Sequence, residues 1–166
     1  MQMFSAQGFV IDIESSGLSC DSYPIQIGWC SLDLSRYGNF LVRPDCSWTE
    51  WDERAEAIHG IDRGELDAGL SVSQACRTLI DLLYGHRVYC DSPAFDQFWI
   101  DRLFIAGGWP DPQFSLLHIV TLAPKEFAPV FITELESRTR SHNALHDARL
   151  IASIALRPQF YGRTDD

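Results

Sequence analysis

The apolar positions of this chain open in short runs: Gly8 to Glu14 (GFVIDIE), Pro24 to Leu32 and Asn39 to Val42, with turn residues between them. Runs of that length, rich in β-branched side chains, predict three strands in an antiparallel meander. The spacing then becomes helical. Glu50 to Ile58 predicts one helix and Ser71 to Tyr84 a second, in which Val72, Ala75, Cys76, Leu79, Ile80 and Leu83 form a single apolar stripe behind Ser71, a candidate N-cap. Arg87 to Cys90 predicts a short strand that leads through Ser92-Pro93 into a helix from about Phe95 to Ala106, stopped by Gly107-Gly108. Phe114 to Ile119 predicts another strand. Glu126 to Arg138 predicts a helix with Pro129 near its first turn, and Ala144 to Leu156 a final helix ended by Pro158.

A meander followed by alternating helices and strands predicts an α/β fold with a mixed central sheet flanked by helices. The length of 166 residues and 46% hydrophobic content suit one compact domain with a sizeable core, so residues 1–166 are expected to form a single domain. Repeats, linkers and low-complexity tracts are absent from the sequence. No apolar run approaches the roughly 20 residues of a membrane span, and the N-terminus lacks the charged-then-apolar pattern of a signal peptide. The expectation is a cytoplasmic protein without a membrane partner.

Charge changes the picture of the partner. A formal charge of −10 argues against gripping long nucleic acid through a broad basic face, since that affinity comes from Lys and Arg neutralising phosphates. A cluster of carboxylates that becomes attractive to phosphate once loaded with divalent cations escapes the objection. The five cysteines, Cys20, Cys30, Cys46, Cys76 and Cys90, are widely spaced, without a CxxC pair or a His at zinc-finger spacing, and read as reduced thiols.

Asp12 and Glu14 lie two apart in a strand whose other residues from Phe9 to Ile13 are apolar, so both carboxylates point to one face. An isolated D-x-E of this kind is most often solvated at a strand end. Asp96 opens a helix, where an acid serves the helix dipole. Asp147 lies near the start of the last helix, five residues after His142 in the Ser141-His142-Asn143 loop. Each is ordinary alone. Together they supply what two-metal hydrolysis of a phosphodiester needs, in which two ions roughly 3.5–4 Å apart serve the nucleophile and the leaving oxygen. His146 neighbours Asp147, but helical geometry turns it about 100° away.

These residues fall in three motifs that resemble those of the DEDDh (DnaQ-like) exonucleases. Phe9-Val10-Ile11-Asp12-Ile13-Glu14-Ser15-Ser16-Gly17-Leu18 is similar to the first, Ser92-Pro93-Ala94-Phe95-Asp96 to the second, and His142-Asn143-Ala144-Leu145-His146-Asp147-Ala148 to the third, H-x-A-L-x-D-A. The His-to-Asp spacing selects this branch over its tyrosine counterpart. Ile25-Gln26-Ile27-Gly28 and Ile58-His59-Gly60-Ile61 support the likeness, which runs from about residue 9 to 156. One departure stands out: the family usually has His-Asn where this chain has Asp91-Ser92, which removes side chains that support substrate or neighbouring groups.

The resemblance implies a ribonuclease H-like fold and removal of nucleotides from single-stranded 3′ ends of RNA or DNA as nucleoside 5′-monophosphates. It implies two divalent cations, Mg2+ or Mn2+, held by Asp12 (bridging), Glu14 and Asp147, with Asp96 on the second ion directly or through water. His142 would be the general base. Backbone amides near Ser15, Ser16 and Gly17 would meet the 3′-terminal nucleotide, Leu18 would wedge against its base, and His59 would line the same pocket. Two other readings stay open: a non-catalytic nucleic-acid or protein-binding module of the same fold, and a phosphodiesterase of small nucleotides or dinucleotides. Of the five tryptophans, Trp48 and Trp51 are the pair expected to be exposed, as a base-stacking platform. Their edge, or the Glu50 to Ile58 helix, is also a candidate homodimer contact.

Overall fold

The structure is a computed structural model that describes residues 8–109, 111–157 and 160. The opening meander is present as β1 (Gly8–Ser15), β2 (Pro24–Ser31) and β3 (Tyr37–Leu41), paired antiparallel. β4 (Arg87–Cys90) lies parallel to β1, and β5 (Leu116–His118) parallel to β4, giving the mixed order β3-β2-β1-β4-β5. The predicted strand from Phe114 is shorter than its apolar run because Ile119–Leu122 turns into a 3-10 helix capped by the His118 imidazole.

Among the described residues, five α-helices accompany the sheet: α1 (Glu53–His59), α2 (Val72–Leu83), α3 (Pro93–Ala106), α4 (Ala128–Glu136) and α5 (Ala144–Ala155). Strand alternation divides the apolar residues between two faces. Phe9, Ile11, Ile13, Ile25, Ile27, Val88 and Cys90 meet Ala75, Cys76, Leu79 and Leu83 of α2 and Trp99, Ile100 and Leu103 of α3. Val10, Cys30 and Tyr89 point the other way, onto Phe131 and Leu135 of α4 and Ala148, Ile151, Ala152 and Ala155 of α5. α2, α3, α4 and α5 each bury one stripe, whereas α1 buries none of its residues, and together with the sheet the helices make the expected α/β architecture.

Local signals explain the helix ends. Ser71 caps α2 in a reciprocal box with Gln74, an arrangement worth about 1 kcal/mol. α1 starts at Glu53 rather than Glu50 because the Asp52 side chain accepts from the Arg54 N–H and sets the N-cap there. In α4 the predicted start at Glu126 gives way to a 3-10 turn over Lys125–Phe127, and Pro129 sits in the first α turn. α5 ends at Ala155; Pro158, expected to end it, lies outside the described residues.

The expectation of an exposed Trp48-Trp51 pair is overturned. Trp48 is buried and stacks on Tyr23 at 5.1 Å between ring centroids, while half-buried Trp51 donates its indole N–H to Glu56. The exposed tryptophan is Trp109. A polar surrounding, Pro44 to Glu50, hides the long-range stacking partner that buries Trp48.

Candidate active site

β1 carries Val10, Asp12 and Glu14 on one face, so the two carboxylates prolong the row that Val10 begins on the α5 side. The register with β2 places Asp12 opposite Gly28 and Glu14 opposite Gln26. Those two partners let α5 approach. A side chain at Gly28 would lie 2.1 Å from the Ala144 carbonyl carbon, so the start of α5 fits only because Gly28 has none. Gln26 Oε1 accepts the Ala144 N–H at 3.0 Å and fixes the same contact in the other direction. One turn into the helix, Asp147 is thereby brought against the Asp12 face. Ligand atoms of Asp12, Glu14 and Asp147 all lie within 4.8 Å of one another.

Asp96 arrives from the opposite side. β4 ends at Cys90, parallel to β1, and Pro93 at the first position of α3 starts the helix that carries Asp96 in its opening turn. The residue is 4% exposed, and its Oδ2 is buried without a hydrogen-bond partner. An orphaned carboxylate oxygen of this kind costs free energy unless something charged completes it.

The third motif forms a tight turn around Asp147. Its Oδ1 accepts from the Ser141 N–H at 3.0 Å and the Ser141 hydroxyl at 3.1 Å, and its Oδ2 from the His142 N–H at 2.9 Å. His142 has φ 53°, a left-handed conformation that costs a non-glycine residue about 1–2 kcal/mol; the Asp147 contacts hold it there. Asn143 caps α5 by accepting from the His146 N–H. The exposed His142 side chain reaches the cleft, whereas His146 is exposed on the helix and does not line it.

The cleft has a volume of about 220 Å³ and is lined by Asp12, Glu14, Asp96, Asp147 and His142, together with Leu18, Phe95 and Trp99. Asp91 and Arg140, which the sequence reading gave no role, also line it. Its electrostatics are those of crowded acids. Burial, then the charges of Asp96, Asp91, Glu14 and Asp147, pushes the Asp12 carboxyl well above its ordinary range. Burial and Asp147 raise Glu14 to about 7. Asp96 also rises to about 7, through burial first and Asp91 next. Oxygen donors, shared negative charge and an unpartnered oxygen fit a hard divalent cation.

The remaining expected residues are placed differently. Leu18 is 75% exposed at the cleft edge. Ser15, Ser16, Gly17 and His59 are not among the lining residues. The Ser16 N–H donates to the Tyr23 carbonyl, and its hydroxyl to Glu50. Glu50 also accepts from the Ser19 hydroxyl and crowds Gly17, so this acid, predicted to start a helix, orders the loop after β1 instead. The His59 Nδ1 accepts the Ile61 N–H at 3.0 Å, and its buried Nε2 has no partner. Burial, and to a smaller extent His142, lower the His59 pKa while Glu56 opposes them.

No protein-family model matches the sequence, and neither does any curated protein. Solved structures do match in fold. Escherichia coli Exonuclease I in complex with a dT13 oligonucleotide superposes with a TM-score of 0.69 at 15% identity, over 89% of this chain and 39% of that one. The nuclease domain of 3′hExo, a DEDDh family member bound to rAMP, gives 0.69 at 14% identity over 93% and 92%. A 3′-exonuclease that recognises the histone mRNA stem-loop gives 0.60 at 16% identity over 89% and 61%. The chain therefore spans about two-fifths of the Exonuclease I chain and nearly all of the 3′hExo nuclease domain. The fold is the ribonuclease H-like fold of the DEDDh exonucleases.

Proposed function

We propose that the protein is a metal-dependent 3′→5′ exonuclease that releases nucleoside 5′-monophosphates from single-stranded or short RNA or DNA ends. The observation that carries this reading is the convergence of Asp12, Glu14 and Asp147 within 4.8 Å, beside the unpartnered Asp96 oxygen, in a cleft open to a polymer end. The fold shared with nucleases solved with an oligonucleotide and with rAMP supports it.

In this account Asp12, Glu14, Asp147 and Asp96 would hold two divalent cations, Mg2+ or Mn2+. Bound there, such cations would supply neutralisation of the phosphodiester charge and activation of a water nucleophile. Asp147 also fixes the turn that carries His142. The His142 imidazole, exposed at the cleft, would take the proton from the attacking water as general base. Leu18 and Phe95 present apolar surface at the mouth for the terminal base.

The test is product analysis with matched RNA and DNA oligomers labelled at the 5′ end, with Mn2+ or with EDTA. Stepwise shortening from the 3′ end that requires metal is expected. His142→Ala is expected to lower the rate by about 10²–10⁴-fold without changing the Mn2+ concentration for half-maximal activity. No shortening of either polymer would sink the reading.

A second reading, a small-nucleotide or dinucleotide phosphodiesterase, is favoured by one observation: five of the residues lining the cleft are acidic and would repel a long polyanion. Faster turnover of a dinucleotide than of a longer oligomer would select it.

A further inference from the structure

The cleft contains a fifth carboxylate for which the cation-binding scheme has no use. Asp91 lines it with Asp12, Glu14, Asp96 and Asp147. It raises the pKa of both Asp12 and Asp96, so left alone it would only add repulsion. Among the described residues lining the cleft, Arg140 is the only Lys or Arg, and it forms an ion pair with Asp91 rather than with any of the four acids assigned to the cations. The two side chains are 22% and 21% exposed, so the pair is largely shielded from water and from salt.

The position of the pair in the fold says what it does. Asp91 follows β4, the rigid strand beside β1, while Arg140 lies two residues before His142. The intervening turn is held on its far side by Asp147, which accepts the Ser141 and His142 N–H groups. His142 itself adopts a left-handed backbone, a conformation that persists only where the surroundings over-determine it. Its imidazole is exposed, so its aim depends on the backbone beneath it. With Arg140 tied to Asp91 and Ser141-His142 tied to Asp147, the turn is clamped at both flanks.

We propose that the Asp91–Arg140 ion pair is a positioning device that clamps the turn bearing His142 and so aims its imidazole into the cleft. Asp91 stands where the chain departs from the His-Asn of the resembling motif, and Arg140 is the group that makes this acid tolerable. The proposal rests on the exonuclease reading for His142 being the base; the clamp itself is a statement about the backbone of residues 140–142.

The competing role for Arg140 is direct contact with a substrate phosphate, since it also borders a neighbouring cavity with His118 and Arg138. A double-mutant cycle separates the two. Asp91→Asn, Arg140→Gln and the double variant are assayed for kcat and KM with a single-stranded oligomer, and for amide hydrogen exchange at Ser141, His142 and Ala144 in Mg2+. The clamp predicts that each single variant lowers kcat by about tenfold or more with KM within twofold of wild type. It also predicts that the double variant is no worse than either single, as expected of residues acting as a unit. Exchange at Ser141 and His142 should quicken in all three, while Ala144, bonded to Gln26, stays protected. The swap Asp91→Arg with Arg140→Asp should recover part of kcat and of the protection.

Arg140→Gln raising KM while Asp91→Asn leaves both constants at the wild-type value would overturn the proposal in favour of a phosphate contact. Unchanged exchange at Ser141 and His142 would also overturn it. A wild type that cleaves nothing removes the exonuclease reading instead, and the exchange data then decide the clamp on their own.

Discussion

Asp12, Glu14 and Asp96 hold their protons more tightly in the folded protein than in the unfolded chain, and the direction of that shift makes a stability prediction. Their ordinary values are 3.8 and 4.5, and Glu14 and Asp96 titrate at about 7 when folded, with Asp12 well above its ordinary value. A raised folded pKa contributes stability that is present below the unfolded value and lost as pH rises through the folded one. The metal-free protein should therefore lose stability from about pH 4 to above pH 7, and Mg2+ at pH 8 should restore it by neutralising the same charges. Thermal unfolding in EDTA across that range checks this, with Asp96→Asn expected to flatten the slope. A melting temperature independent of both pH and Mg2+ would mean that these carboxyls do not share one enclosed site. At this scale the sequence was informative wherever a residue type is costly in its place: two acids in an apolar strand drew attention at once. Asp91 drew attention only as a departure from the motif, and its pairing with Arg140 was not legible, because the fold brings together segments 49 residues apart.

At the scale of elements, the site is assembled by one close approach, that of α5 to β2. Gly28 lies where a side chain would come within 2.1–2.3 Å of the Ala144 and Leu145 backbone, and backbone cannot yield as a flexible side chain can. Gly28→Ala should push α5 outward, cost about 1–3 kcal/mol or more through overpacking, and displace Asp147 from Asp12. Denaturant unfolding, together with the Mn2+ dependence of cleavage, reads both effects. Weakened metal dependence in a protein that still folds is the expected pattern, and wild-type stability with wild-type metal affinity would contradict it. Elements such as α2 were legible because they bury one face at their own period, as its apolar stripe shows. The boundaries that shifted did so where local hydrogen bonds compete with periodicity, as Asp52 does at α1 and His118 after β5. Trp48 was misplaced for a different reason, since its burial depends on Tyr23, a partner no local pattern reveals.

Over the whole molecule, a net charge of −10 and a cleft whose lining includes one Arg leave little to hold a polymer backbone. Single-strand affinity falls with salt at a slope of about −0.7 per phosphate neutralised. Affinity measured in Mg2+ with a cleavage-deficient His142→Ala variant should then show a log–log slope no steeper than about −1.5, equivalent to one or two phosphates. A steep slope would reveal a basic track that the cleft does not contain. Recognition would instead be centred on the terminal nucleotide, through metal-held phosphate and the apolar mouth of Leu18 and Phe95.

The most direct test of the account is to run the reaction in H2(18)O with Mn2+ and a single-stranded oligomer, and to weigh the mononucleotide released. The account predicts a nucleoside 5′-monophosphate carrying one 18O on phosphorus, formed from the 3′ end and absent with Asp147→Asn. A 3′-phosphate or cyclic phosphate, or a product that forms equally well in EDTA, would contradict it.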